Sequence, residues 1–240
     1  MRSLVVLPTY DEADNIVEVL ERLRAAVPDV TVLVVDDASP DGTADLVESV
    51  ADRLGPVSVM RRPAKSGLGS AYRDGFRQGL QEGFDILVEM DSDLSHDPAA
   101  LPTLLAAVED GASLALGSRY IPGGSIPDWS WYRRALSRWG NRYAAFVLGN
   151  RLADATSGYR AYSAPALAEI DFHTVQADGY GFQIEMAYRV LRTGGRVDEV
   201  PISFTDRIRG ESKMSSRIVV EALVLVTWWG IRDRVLRLRR

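Results

Sequence analysis

The residues with the strongest claim to chemistry are carboxylates in two short runs, Asp36-Asp37 and Asp91-Ser92-Asp93. Neighbouring carboxylates repel and raise one another's pKa, so such pairs are held by hydroxyl, amino or metal partners. In Glu89-Met90-Asp91-Ser92-Asp93 the two aspartates stand at i and i+2. Just past a strand, where the chain is already turning, that spacing lets both converge on one hard cation. Mg²⁺ and Mn²⁺ take carboxylate oxygens and keep positions that substrate phosphates complete. Pro8-Thr9-Tyr10-Asp11-Glu12 is a further acidic motif, and Asp41-Gly42-Thr43 suits a turn with a helix cap. Lys65-Ser66-Gly67-Leu68-Gly69 precedes a helix and would let Lys65 face a nucleotide, although it lacks Walker spacing. His96 and His173, the only histidines, have no imidazole nearby to share a metal with and are not assigned as ligands. Downstream, Arg119, Arg133, Arg134, Arg207, Arg209 and Lys213, with Ser137, Glu211 and Ser212 among them, are fit to clamp a second anion.

These groups need a scaffold that brings them to one edge. Apolar runs at 4–7, 31–35, 57–61, 86–90 and 113–116 read as short buried strands, each followed by a polar or Gly/Pro turn. Between the first two, Ile16, Val19, Leu20, Leu23 and Val27 repeat at helical spacing. Alternating strands and helices predict βαβ units and a mainly parallel sheet, whose ligands bind beyond the carboxyl ends of the strands. After Gly117 the rhythm breaks into a Pro/Gly turn at 121–124, an aromatic and Arg-rich stretch at 129–142, and a Thr156-Ser157-Gly158 loop. An amphipathic helix near 182–191, a strand near 196–204 and a final helix from about 215 follow. With no linker or repeat, the division is one domain over 1–213 and a basic amphipathic helix over 214–240, either part of that domain or a membrane-peripheral extension.

Composition sets limits. The 240 residues carry 28 Lys and Arg against 33 Asp and Glu, a formal charge of −5, and are 46% hydrophobic, enough to bury a sizeable core. Zero cysteines exclude a disulfide framework, thiolate metal sites and a Cys nucleophile, and fit a reducing compartment. The N-terminus shows no secretory pattern, and the longest apolar stretch, 218–231, has 14 residues and contains Glu221. A bilayer crossing takes roughly 20, so no span is expected, and the cytoplasm is the expected compartment. Residues 207–240 are net +6 and the rest net −11. That asymmetry directs the C-terminal end toward phosphate or an anionic lipid surface and argues against nucleic acid as a partner. The five tryptophans, Trp129, Trp131, Trp139, Trp228 and Trp229, with flanking arginines, suit either a membrane interface on the cytoplasmic leaflet or core packing.

Taken in order, PTYDE, VVDDASPDGT, KSGLGSA, MDSDLSHDP, GSRY, SGYRAY and RGESKMS resemble the polyprenol (dolichol) monophosphomannose synthases within inverting glycosyltransferase family 2, from about residue 4 to 216. The resemblance implies an α/β GT-A fold with a mainly parallel central sheet and flanking helices, GDP-mannose as donor, Mg²⁺ or Mn²⁺, and a polyprenyl phosphate acceptor. It puts the donor pocket on Pro8, Tyr10, Glu12, Val35 and Asp37, with Asp36, Lys65 and Ser92 beside them. The metal pair falls on Asp91 and Asp93, and Ser95 stands where many members have a glutamine ligand. Arg207 and Lys213 would neutralise the leaving diphosphate, while Arg119, Arg133 and Ser137 hold the acceptor phosphate; Asp93, Arg119, Arg207 and Lys213 are the residues expected to act in catalysis. The short C-terminal end matches members that lie peripherally on the membrane, served by a separate anchoring protein. Glucosyl transfer from UDP-glucose shares the strand-end motifs, but its enzymes usually append two membrane spans. A processive synthase would show Gln-x-x-Arg-Trp, and Ala135 precedes Arg138-Trp139 here. A phosphoacceptor receiver module pairs aspartates in a similar way, but no Lys-Pro dipeptide is present to supply its lysine.

Overall fold

The computed structural model describes residues 1–206 and 216–238. Seven strands form one sheet: β1 (Ser3–Thr9), β2 (Thr31–Asp36), β3 (Val57–Arg61), β4 (Ile86–Glu89), β5 (Leu114–Ser118), β6 (Arg160–Ser163) and β7 (Val197–Pro201). Their spatial order is β3-β2-β1-β4-β6-β5-β7. The β-branched runs of β1 and β2 are buried on both faces, as a sheet covered by helices on two sides requires. All neighbours are parallel except β6, which runs antiparallel between β4 and β5.

The helices are α1 (Ala13–Ala26), α2 (Thr43–Leu54), α3 (Leu68–Gln81), α4 (Leu101–Glu109), α5 (Trp131–Leu148), α6 (Ala164–Glu169), α7 (Gly179–Arg192) and α8 (Ser216–Leu238). They enclose two buried clusters. One joins the sheet to α1, α2 and α4 through Ile16, Leu20, Val47 and Leu104. The other joins it to α3, α5, α7 and α8 through Tyr72, Phe76, Ala144, Phe182, Met186 and Trp229. Asp41 joins the starts of α1 and α2, accepting the Ala13 N–H at 2.9 Å and the Thr43 N–H at 3.0 Å.

The five expected strands from 4–7 to 113–116, and the helices between them, stand where the apolar spacing predicts. Three later segments differ. β6 occupies residues taken as the sequel of a loop, because it is four residues long and opens on an arginine. Burial of Arg160 is made tolerable by three backbone carbonyls, those of Ala155, Ser157 and Gln183, at 2.6–2.8 Å. α5 is an 18-residue helix where the sequence shows only an aromatic, Arg-rich stretch. Its period is hidden because Trp131, Tyr132, Leu136, Trp139 and Phe146 are exposed, so apolar residues lie on both faces. The strand expected over 196–204 ends at Pro201 and continues only as isolated bridges, Ser125 to Ser203 and His96 to Phe204.

The final helix also departs from expectation. Ala222, Val226 and Trp229 are buried, and α8 packs on α5 and α7. The opposite side presents Val220, Val224, Trp228, Ile231 and Val235 to solvent, an apolar stripe in place of the expected polar face. The tryptophans divide accordingly. Trp129 and Trp229 are buried, whereas Trp131, Trp139 and Trp228 are more than half exposed. No helix among the described residues is long and apolar enough to cross a membrane.

Candidate active site

The carboxyl ends of β1, β2, β4 and β5 open on one side of the sheet, and a cleft of about 780 Å³ lies across them. Most of the expected site residues that the structure describes line it. On the β1 and β2 side are Pro8, Tyr10, Glu12, Asp37 and Lys65. Lys65 Nζ stands 3.7 Å above the Tyr10 ring, a cation resting on an aromatic face. Asp37 is held by Arg62 Nη1 at 2.6 Å and by the Ser66 N–H at 3.1 Å, so the 65–67 loop is fastened to β2 through one carboxylate.

Asp36 and Val35 do not share that cleft. The Asp36 carboxylate turns into the protein, where it accepts hydrogen bonds from Thr9 Oγ1 (2.9 Å), Ser39 Oγ (2.5 Å) and the Ser39 N–H (2.9 Å). It folds the loop after β2. The Val35 side chain is wholly buried in the core, since successive strand residues face opposite ways. The paired aspartates are thus satisfied separately, one by hydroxyls and one by a guanidinium, which relieves their repulsion.

At the end of β4, Asp91, Ser92, Asp93 and Ser95 all line the cleft. Ser92 Oγ donates to the Pro8 carbonyl at 2.9 Å and closes β4 on β1. Ser95 donates to Asp93 Oδ1 twice, from Oγ at 2.5 Å and from its N–H at 3.0 Å, so its hydroxyl orients the carboxylate next to it. The Tyr72 hydroxyl reaches toward Asp91 Oδ1 at 3.5 Å. His96 is buried, with its Nδ1 accepting the Asp91 N–H at 3.4 Å. Burial, seconded by Arg119 against Asp93 and Asp154, pulls its pKa down to about 4 and keeps it neutral. His96 therefore supports the β4 loop. No three His, Asp or Glu side chains cluster as a metal cage among the described residues. Two carboxylates with open oxygen chemistry beside them fit a Mg²⁺ or Mn²⁺ ion whose remaining positions substrate phosphates supply.

The basic residues are arranged differently from one another. Arg119 is 5% exposed and locked to Asp154 by Nε at 2.6 Å and Nη2 at 2.7 Å, with Thr156 Oγ1 at 2.9 Å from Nη2. The Asp154 backbone N–H and that of Ala153 are in turn held by the Glu199 carboxylate. Arg133 lies 3.9 Å above the Trp129 ring and pairs with Asp206 at 3.0 Å. Ser137 sits outside the main cleft. It lines a second groove of about 330 Å³ between α5, α7 and α8, whose walls are Leu136, Trp139, Tyr143, Ile184, Ala222 and Val226. The two spaces meet at Trp129, Arg133, Thr156 and Tyr180, which line both. Arg207 and Lys213 lie outside the described residues.

Three contributors escaped the sequence reading. Asp154, Asp178 and Gln183 stand apart from any strand-end motif, and the one hint was the 156–158 loop between them. Asp178 accepts the Gly69 N–H at 2.7 Å, and a Cβ on Gly67 would come within 2.1 Å of its Oδ2, so only glycine fits there. The loop bearing Lys65 is thereby pinned to α7.

Residues 4–171 match the model of glycosyl transferase family 2. The chain belongs to this family. As a family 2 glycosyl transferase it is 50% identical over 98% of its length to an undecaprenyl-phosphate mannosyltransferase of Micrococcus luteus, covering 96% of that protein. It is 48% identical over 99% of its length to a polyprenol monophosphomannose synthase of Mycolicibacterium smegmatis, covering 90%. Among solved structures, glucosyl-3-phosphoglycerate synthase from Mycobacterium tuberculosis in complex with UDP aligns with a TM-score of 0.68 at 20% identity, over 95% of this chain and 80% of the other. A mannosyltransferase from Pyrobaculum calidifontis in complex with GDP-Man and Mn²⁺ gives 0.66 at 20% identity, over 97% and 64%. These establish for the family 2 transferase the GT-A arrangement expected from the motifs.

Proposed function

We propose that this transferase moves mannose from GDP-mannose to a polyprenyl phosphate with inversion at the anomeric carbon. One observation carries the reading. The polar cleft holding Asp91 and Asp93 opens past Arg133 and Trp129 into an apolar groove, which suits a reaction joining a nucleotide sugar to a phosphate borne on a lipid. The names of the two relatives near 50% identity support mannose and a polyprenyl phosphate. The donor's base faces the Tyr10 and Lys65 side of the cleft, and its diphosphate faces Asp91 and Asp93, which would hold it through a divalent ion.

Asp91 and Asp93 would hold a divalent ion, which would supply charge neutralisation for the leaving diphosphate. The chain's own residues do the rest. The acceptor phosphate is an anion at neutral pH, so its oxygen attacks the anomeric carbon with no proton to remove, while the bond from that carbon to the diphosphate breaks and GDP leaves. Arg119 and Arg133 hold the nucleophile in line, and Ser137 lies where the phosphate meets its chain. Arg119 acts as a fixed dipole with Asp154, already oriented before substrate arrives.

The test is transfer of radiolabelled mannose to a short polyprenyl phosphate in detergent with Mg²⁺ or Mn²⁺, beside UDP-glucose as control. The expected product is an organic-soluble, mild-acid-labile mannolipid that disappears with EDTA. A glucolipid from UDP-glucose alone would move the enzyme to the sister activity.

Peripheral attachment to the cytoplasmic leaflet is part of the proposal. The stripe Val220, Val224, Trp228, Ile231 and Val235 lies beside exposed Arg232 and Arg234, and Arg232 stacks 5.0 Å from the Trp228 ring. Apolar burial combined with attraction to anionic headgroups predicts co-sedimentation with phosphatidylglycerol liposomes. Binding is expected to fall by about tenfold in Val224→Ser/Trp228→Ser and to weaken in 0.5–1 M salt, roughly as screening of surface charge requires. No sedimentation of the wild type would refute this placement.

A further inference from the structure

Gln183, on the second turn of α7, is 3% exposed and lines the main cleft, yet neither its carboxamide oxygen nor its nitrogen has a hydrogen-bond partner. A buried primary amide left in that state costs stability, and native proteins seldom tolerate it without a purpose. Its neighbour is the fully buried Glu89. Burial pushes that carboxyl up to about 7 against the pull of Arg160 and of the Gln183 and Tyr162 side chains. Glu89 is thus the polar group nearest the amide, and neither of its oxygens completes a hydrogen bond with it.

The backbone that carries the amide is held in place. Arg160 donates to the main-chain carbonyl of Gln183 at 2.6 Å and to the main-chain carbonyls of Ala155 and Ser157, which ties α7 to the 155–158 loop. Across that loop, a Cβ built on Gly158 would stand 3.6 Å from Asp91 Oδ2 and 3.7 Å from Gln183 Nε2. The amide and the metal-side carboxylate therefore flank the same opening, and the glycine keeps it clear of a side chain. A hexose attached to a diphosphate at Asp91 and Asp93 must occupy space next to those carboxylates. Its hydroxyls are paired donors and acceptors, the complement of a carboxamide.

We propose that Gln183 reads a hydroxyl of the donor's sugar and is a specificity-determining residue for the hexose. This rests on the donor reading given above. A site built to bond a hydroxyl rejects a substrate lacking it, because the amide is then left buried and unpaired.

The experiment compares wild type and Gln183→Met on GDP-mannose and its 2-, 3-, 4- and 6-deoxy analogues, with GDP affinity in Mn²⁺ measured in parallel. In wild type one deoxy analogue is expected to lose about 30-fold in kcat/KM. Gln183→Met should lose a similar factor on GDP-mannose, show no further loss on that one analogue, and bind GDP as wild type does. Equal deoxy penalties in both enzymes, or GDP affinity falling together with kcat/KM, would overturn the assignment. If Gln183→Met lowers the urea midpoint, Gln183→Leu, which likewise removes both hydrogen-bonding atoms, carries the same comparison. A wild type that makes no mannolipid at all would instead remove the donor reading, so the two failures are distinct.

Discussion

Asp91→Ala and Asp93→Ala are each expected to lower turnover by about three orders of magnitude, the scale seen when a preorganised electrostatic group facing developing charge is removed. Both side chains line the cleft at the end of β4, and no further carboxylate or imidazole joins them as a metal cage among the described residues. With two protein ligands, losing one leaves too few to hold the ion against water. The variants should differ in stability. Asp93 is 3% exposed and receives two hydrogen bonds from Ser95, so its removal strands a buried hydroxyl and costs about 1–3 kcal/mol. The Asp91 side chain is 31% exposed, and its loss should leave the unfolding midpoint nearly unchanged. Turnover, Mn²⁺-dependent GDP binding by calorimetry, and urea unfolding together separate the two effects. Near-normal activity in either variant would end the metal assignment.

Asp154→Asn is expected to cost about 3–5 kcal/mol of stability and to reduce kcat/KM for the acceptor about 100-fold. Asp154 is fully buried and takes three hydrogen bonds from Arg119, from its backbone N–H, Nε and Nη2. An amide in its place keeps the shape but presents an NH₂ to one edge of the guanidinium and removes the negative charge opposite a buried cation. Arg119 is then free to turn away from the cleft. Because the two residues act as one unit, Asp154→Asn combined with Arg119→Met should be far from additive in acceptor kinetics. GDP affinity should hold within about twofold, since the Tyr10, Lys65 and Asp37 side of the cleft is built from β1, β2 and the loop after β3. Acceptor kinetics unchanged by Asp154→Asn would place Arg119 outside the acceptor site.

What was legible in the sequence is what local chemistry dictates. Buried β-branched runs, helical spacing between them and acidic motifs at their ends gave a mainly parallel sheet and put Tyr10, Glu12, Asp37, Asp91 and Asp93 at its edge. The ordered motifs added the family. Period and turn chemistry act over a few residues, so such features survive without coordinates. The misreadings share one cause. Asp36 and Asp37 look alike in the chain, and only the pleat turns one toward Ser39 and the other toward Arg62. β6 hid behind Arg160, whose burial depends on carbonyls from two distant segments. α5 hid because exposed aromatic and aliphatic residues erase the contrast between faces by which a helix is recognised, and residues of the same kind give the expected final helix an apolar stripe in place of a polar face.

The tertiary structure alone decided which charges are spent and which face substrate. Arg119 meets Asp154 across 35 residues, and Asp178 caps the Gly69 end of a loop 109 residues before it. The sequence by itself determined most of the sheet, the strand-end carboxylates and, through the family its motifs resemble, the kind of reaction they serve. Pairing between distant residues, set by packing rather than by neighbours in the chain, determined the rest, because a buried ion or amide is specified by whatever the fold brings within about 3 Å of it.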